Sequence, residues 1–301
     1  MRRPARSEGL TWIGVVVVLA VLGFVVLILA PLYRREWRIS LMVECNHQLS
    51  DIGKAMLTYA SDFNGALPQA GGRGTSWGSR LHNWSAPGRA QAFGLDPNLA
   101  GGEATISASL YLLVRHNDIS PGSFICRTDK GATEFRPQKY GVTSTGVADL
   151  WDFGPDPTRH CSYSYHVPYC RYALTTSNEP GFAVAADRNP WIGSPSAKAK
   201  DFLFFKPDVP PFHGTAEQAK YGNTFRHEGD GQNVLFLDSH VEFARRAYCS
   251  VEDDNIYTIS TNLVAGDLLG TPPRLGSQPA NRRDSLLVND PVPTFRDTKR
   301  R

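Results

Sequence analysis

The sequence predicts an α+β protein: a long N-terminal transmembrane and amphipathic helix packed on a mainly antiparallel β-sheet head. Three observations predict it. Residues 10–33 carry no charged side chain. Apolar residues then recur at alternating intervals of three and four as far as Phe63. Beyond residue 120, short runs of β-branched and aromatic residues alternate with Gly, Pro, Asn and Asp.

The uncharged run comes first. About twenty apolar residues in a helix cross the hydrocarbon core of a bilayer, so residues 10–33 are expected to be a single membrane span. Arg2, Arg3 and Arg6 look like the basic start of a cleaved secretory signal. The run is too long for the apolar part of such a signal, however, and no small-x-small site closes it. It ends in LAPLYRREWR, where Pro31 and the arginines look like a membrane exit. Arginines flank both ends, so charge alone leaves the orientation open.

In the amphipathic continuation, residues 34–65, Met42, Cys45, Leu49, Ile52, Met56, Tyr59 and Phe63 form an apolar stripe down one helix face. Asn64-Gly65 supplies a stop, with Pro68 beyond. Pro31 is expected to bend the helix where its two halves meet. A head over residues 66–265 opens with a Gly-, Pro-, Ser- and Trp-rich loop to Gly102, then a short helix from Ile106 to Val114. Strands are expected at SFIC (123–126), SYSYHV (162–167), GFAVAAD (181–187), NVLFLD (233–238), HVEF (240–243) and NIYTI (255–259). Residues 266–301 are rich in Pro and Arg and poor in aromatics, and are expected to be a disordered tail.

A net charge of +3, with the charges scattered, gives no basic groove, so no nucleic-acid partner is expected. All five cysteines (45, 126, 161, 170 and 249) follow the apolar run, which fits an oxidising compartment with up to two disulfides.

RHEGDGQNVLFLDSHVEF (226–243) concentrates His, Asp and Glu. With Asp238-Ser239 as a two-residue turn, Leu237 would pair with His240, Phe236 with Val241, Leu235 with Glu242 and Val234 with Phe243. Phe236, Val241, Val234 and Phe243 would then face a core, leaving His240, Glu242, Leu235 and Leu237 on a wetter face. A metal site could draw on His227, Asp230, Asp238 and His240, with Asp230 and Asp238 as the calcium candidates. The spacing matches neither a zinc nor a calcium signature. The structural hairpin is the better reading, with no catalytic residue and no cofactor. A hydrolase built from Ser239, His227 or His240 with Asp230 or Asp238 ranks last, because the turn already uses Asp238 and Ser239.

The order of these features resembles type IV pilin-like proteins, specifically the large prepilin-type cleavage/methylation family with a C-terminal H-X9-DG-type motif. That family reads G-F-T-L-I-E before its apolar helix; here Gly9-Leu10-Thr11-Trp12-Ile13-Gly14 stands there. RISLMVECNHQLSDIGKAMLTYASDFNG (38–65), FICRTD (124–129), SYSYHVPY (162–169) and DDNIYT (253–258) each match a family segment. So does the tail motif through His227, Gly229, Asp230, Gly231, Asn233, Asp238, Ser239 and His240.

The resemblance implies a leader of residues 1–9, cut by a prepilin peptidase between Gly9 and Leu10. It implies a single-pass inner-membrane protein with its N-terminus in the cytoplasm and its head in the periplasm or beyond. Partners would be the lipid bilayer, the peptidase and other pilin-like subunits through the N-terminal helix. Pro31 falls where such helices carry a bend. Cys45 and Cys126 lie in segments where the family often has Cys, and pairing them would tie the helix to the first strand. Cys161 and Cys170 could close a small loop, leaving Cys249 over.

Two departures stand out. Gly14 replaces the Glu that pairs with a neighbouring subunit's amine, and Ser239 replaces a Gly. The function expected is that of a non-enzymatic structural or minor subunit of a type IV pilus or a type II secretion-like assembly. The alternative is a membrane-anchored extracytoplasmic binding module that does not polymerise.

Overall fold

The computed structural model describes residues 12–143, 146–261 and 267–292. Gly9 and Leu10, the expected cleavage site, lie outside them. The chain divides into two units, residues 1–43 and 44–301. Helix α1 (Trp12–Asp62) contributes to both.

In the first unit, residues Trp12–Ala30 of α1 have a mean hydropathy of 3.3 and none of that stretch is buried. The stretch is long and apolar enough to cross a membrane. The bend expected at Pro31 falls among residues 31–41, whose side chains lie outside those described.

In the second unit, the last turns of α1 present the expected stripe. Cys45, Leu49, Ile52, Met56 and Tyr59 are all buried, and the exposed Phe63 stacks on Tyr59 at 4.0 Å. The helix stops as its sequence requires: Asn64 and Gly65 both take positive φ, and the Gly65 N–H donates back to the Ala60 carbonyl at 2.7 Å. Strand β1 (Ser76–Trp77) and α2 (Arg89–Phe93) interrupt the expected loop, and β1 pairs with β2 (Glu103–Ala104). Helix α3 (Ile106–Asn117) follows, with Thr105 as its N-cap.

The main sheet consists of β3 (Tyr163–His166), β4 (Ala183–Asp187), β5 (Gln232–Phe236), β6 (Val241–Ala244) and β7 (Leu287–Val288). Its order is β6-β5-β4-β3-β7 and every pairing is antiparallel. Both faces are covered. Tyr163, Tyr165, Leu235 and Val288 pack into the cluster that holds the α1 stripe and α3. Ala186, Val234, Phe236 and Leu287 join Trp191, Phe205, Ile256 and Tyr257 in a second cluster on the other face. An irregularity between Ala183 and Ala185 lets Val184 and Ala185 both join the first cluster. Short helix α4 (Ala216–Lys220), closed by a Thr215–Gln218 capping box, completes the elements used below.

Four expectations need correction. SFIC is not a strand: Pro121–Phe124 form a 3-10 turn that leads into Cys126. NIYTI is a series of turns held by isolated bridges, Tyr248 to Asn255 and Ile259 to Thr271.

The third concerns the hairpin, which is out of register by one residue: Leu235 pairs with Val241 and Val234 with Glu242. The Ser239 N–H donates to the Phe236 carbonyl (2.9 Å) and the Phe236 N–H to the His240 carbonyl (3.0 Å). Leu237, Asp238 and Ser239 therefore form the loop, with Ser239 at φ 71 in the left-handed position. A one-residue slip swaps the faces, so Leu235 points at α1 and Phe236 away from it.

The last correction concerns the tail. Residues 267–292 are built into the head: Leu286, Leu287 and Val288 are fully buried and β7 forms a sheet edge beside β3. The buried Asp290 accepts the Ile106 and Ser107 N–H groups at 2.8 and 2.9 Å, completing the start of α3, and accepts from Trp77 Nε1 as well. Of the expected tail, residues 266 and 293–301 lie outside the described residues.

Candidate functional site: a buried charge network

Strand β4 is buried on both faces and ends on a carboxylate, Asp187. A charge there needs partners, because an unpaired buried carboxylate costs several kcal/mol. Three groups supply hydrogen bonds to Asp187 Oδ2: the Asn233 N–H at 2.7 Å, Asn233 Nδ2 at 3.3 Å and His227 Nε2 at 3.0 Å. Tyr257 donates its hydroxyl to the Asp187 carbonyl at 2.7 Å. The tail motif thus has a definite use: His227 and Asn233 latch the start of β5 to the end of β4.

The loop that delivers His227 is shaped for this. Asp230 N–H donates to the His227 carbonyl (2.9 Å), and Glu228 and Gly229 between them both have positive φ, as a type I′ turn requires. A Cβ on Gly231 would stand 2.5 Å from the Ala244 carbonyl oxygen, so only glycine lets this loop approach β6.

A second carboxylate, Asp129, gathers two arginines. Arg188 Nε reaches Asp129 Oδ2 at 2.9 Å and Arg226 Nη1 reaches Oδ1 at 2.5 Å, all with side chains almost wholly buried. Ser162 donates to Asp129 Oδ2 at 3.0 Å, Arg226 to Ser196, and Arg188 Nη2 to the Thr158 carbonyl. Burial lowers Arg226 to about 10, with Asp129 opposing, so it stays charged at neutral pH. Burial also pulls His227 down, but the Asp187 charge and hydrogen bond outweigh it and hold the imidazole above its usual range.

The network leaves some polar atoms without a partner: Asp187 Oδ1, Arg188 Nη1, and Arg226 Nε and Nη2. A cavity of about 10 Å³, lined by Arg188, Ser107, Cys161, Tyr163 and Asp290, has room for one water-sized guest.

The motif's other half lies elsewhere. Asp238, Ser239 and His240 sit beyond the far end of β5, Asp238 five residues on from Asn233, which is about 16 Å for a strand rising ~3.3 Å per residue. There His240 Nδ1 meets Asp238 Oδ1 at 2.5 Å, and the ring stacks on Phe236 at 4.4 Å. Asp230 is exposed and pairs with Lys220 at 3.1 Å. His227, Asp230, Asp238 and His240 therefore form neither the metal set nor the hydrolase set considered from sequence, and the calcium candidates Asp230 and Asp238 do not converge. Ten residues separate His227 from Asp238 here, one more than the motif's nine.

No protein-family model, curated protein or solved structure matches this chain.

Of the cysteines, Cys45 and Cys126 form a disulfide between α1 and the segment leading to Asp129. Cys161 and Cys170 do not pair: both are free thiols, as is Cys249. Their sulfurs have found backbone carbonyls instead, those of Tyr163, Val167 and Ala247.

Among the described residues, one group of metal-ligand side chains lies close together. Cys126, Asp187 and His227 present donor atoms within 4.8 Å of one another, all buried. With Cys126 bonded to Cys45, its sulfur is no longer a thiolate donor.

Sequence reasoning missed Asp129, Asp187, Arg188 and Arg226. The available signal was local: Asp187 ends an otherwise apolar strand, and Asp129 and Arg226 sit inside the two most patterned segments.

Proposed function

We propose that this chain is a pilin-like, non-enzymatic membrane protein. Residues 10–33 anchor it in the inner membrane, and the head serves a pilus or a type II secretion-like assembly on the far side. The observation that carries the reading is α1 itself. It is uncovered and apolar at Trp12–Ala30, then one-sided over its last turns, where the stripe from Cys45 to Tyr59 is buried against an antiparallel sheet. A secretory signal that is cut away would have no reason to continue as the core helix of the head. The Cys45–Cys126 disulfide supports an oxidising location for the head.

Gly14 stands fifth in the chain that cleavage after Gly9 would release, where a carboxylate would meet a neighbour's amine. Its absence favours a first-subunit or minor role over bulk polymerisation. The same observation supports the second reading, an anchored binding module that never polymerises.

N-terminal mass spectrometry of protein taken from its native membrane decides between them. A chain starting at Leu10, N-methylated, supports the pilin-like reading. A chain starting at Met1 or Arg2 rejects it and leaves the anchored module.

A further inference from the structure

The residues around Cys126 make a second use of the same position available. We propose that Cys126, Asp187 and His227 form a zinc site in chains whose Cys45–Cys126 disulfide has not formed, so that metal and disulfide are alternative locks on one buried point.

Geometry supports this first. A tetrahedral zinc ion with Zn–S of about 2.3 Å and Zn–N or Zn–O of about 2.0 Å places its ligand atoms about 3.3–3.5 Å apart. The three donors already lie within 4.8 Å of one another, so small side-chain rotations close the difference.

The second support is a missing partner. Asp187 is fully buried, yet its Oδ1 has no hydrogen bond. A buried carboxylate oxygen without a donor is one that a cation would satisfy.

The third is charge. One thiolate, one carboxylate and a neutral imidazole balance Zn²⁺, so the buried site is neutral when filled. Soft sulfur and imidazole donors select zinc over calcium or magnesium. The fourth ligand would be water.

The steps balance. Both cysteines are made as thiols. Zinc binding releases the Cys126 thiol proton and replaces the proton held between His227 and Asp187. A disulfide oxidant later takes two electrons from Cys45 and Cys126 and becomes two thiols. It takes the Cys45 proton and one from solvent, and zinc leaves because its sulfur donor is gone.

The test compares two full-length variants in detergent, Cys45→Ser and Cys126→Ser. Both lose the same disulfide, but only the first keeps the Cys126 thiol. Zinc content by mass spectrometry should be about one per chain for Cys45→Ser and near zero for Cys126→Ser, as three protein donors and a water require. Cobalt substitution should give a sulfur-to-cobalt charge-transfer band in the first alone. Equal metal in both overturns the proposal.

A parallel measurement covers variants that fail to fold. The wild-type chain is unfolded and refolded with a dithiol, with and without zinc. A zinc-dependent rise in melting temperature is expected in the reduced chain and not in the oxidised one; no rise in the reduced chain overturns the proposal. Neither result depends on where the N-terminus is cut, so the zinc site and the pilin-like reading fail separately.

Discussion

Gly53 lies on the buried face of α1, and a Cβ placed there would stand 2.6 Å from Leu235 Cδ1 of β5. Ordinary carbon contacts are about 3.5–4.0 Å, so Gly53→Ala must push a packed leucine aside. Overpacking of this kind costs ~1–3 kcal/mol, while alanine gains about 1 kcal/mol over glycine inside a helix. The net expectation is a loss of up to ~2 kcal/mol, or several degrees of melting temperature for a head of this size.

The decisive comparison is made in a Leu235→Ala background. That change costs ~2–5 kcal/mol by itself but clears the space, so Gly53→Ala should become stabilising by about 1 kcal/mol there. Denaturant unfolding of the full chain and the three variants, followed by tryptophan fluorescence, gives the coupling directly. A coupling below ~0.5 kcal/mol would show two independent sites and refute the contact.

Four further outcomes are expected. Asp129→Asn leaves Arg188 and Arg226 buried without their countercharge and should cost ~3–5 kcal/mol in denaturant unfolding; a loss under ~1 kcal/mol would mean solvent reaches the arginines. Ser239→Gly relieves a left-handed residue and should raise stability by ~0.5–1 kcal/mol, read as a higher denaturation midpoint. Replacing both Cys45 and Cys126 by alanine opens a link spanning 81 residues and should cost ~4.5 kcal/mol by loop entropy; an unchanged midpoint would mean the bond does not form.

The fourth concerns pH. Burial, aided by Asp284, raises Asp254 to about 8, so the folded head holds a proton that the unfolded chain releases from about pH 4 upward. Its contribution is full below the ordinary carboxylate range and is lost as pH rises through about 8. His227 acts in the same direction above the ordinary imidazole range. Unfolding midpoints should therefore fall between pH 5 and 8, with Asp254→Asn flattening the slope; a midpoint that rises over this range contradicts the burial of Asp254.

The helix stripe, the Asn64-Gly65 stop, α3 and strands β3 to β6 were legible because local periodicity and turn residues set them. The hairpin register was not. Choosing between a two- and a three-residue loop depends on whether Ser239 accepts a left-handed backbone, and a side chain does not announce that. Face assignment failed with it, because β5 is buried on both sides and Val234, Leu235, Phe236 and Leu237 are all apolar. Strand β7 escaped notice for another reason. Leu286, Leu287 and Val288 are a brief apolar run in polar surroundings, and their meaning comes from pairing with β3 far upstream. The charge network was invisible for the same reason: Asp129, Asp187 and His227 are brought together by three separate segments.

The pairing of Tyr165 with Val288 has a consequence for how the head is made. A chain made from its N-terminus delivers β3 long before β7. Until residues 286–290 emerge, β3 has an open edge and α3 lacks the Asp290 carboxylate at its start. Most of the head must wait, partly assembled, for one of its last segments. During that interval the open edge of β3 can be taken by any passing strand, and a chaperone that covers it would have most to do there.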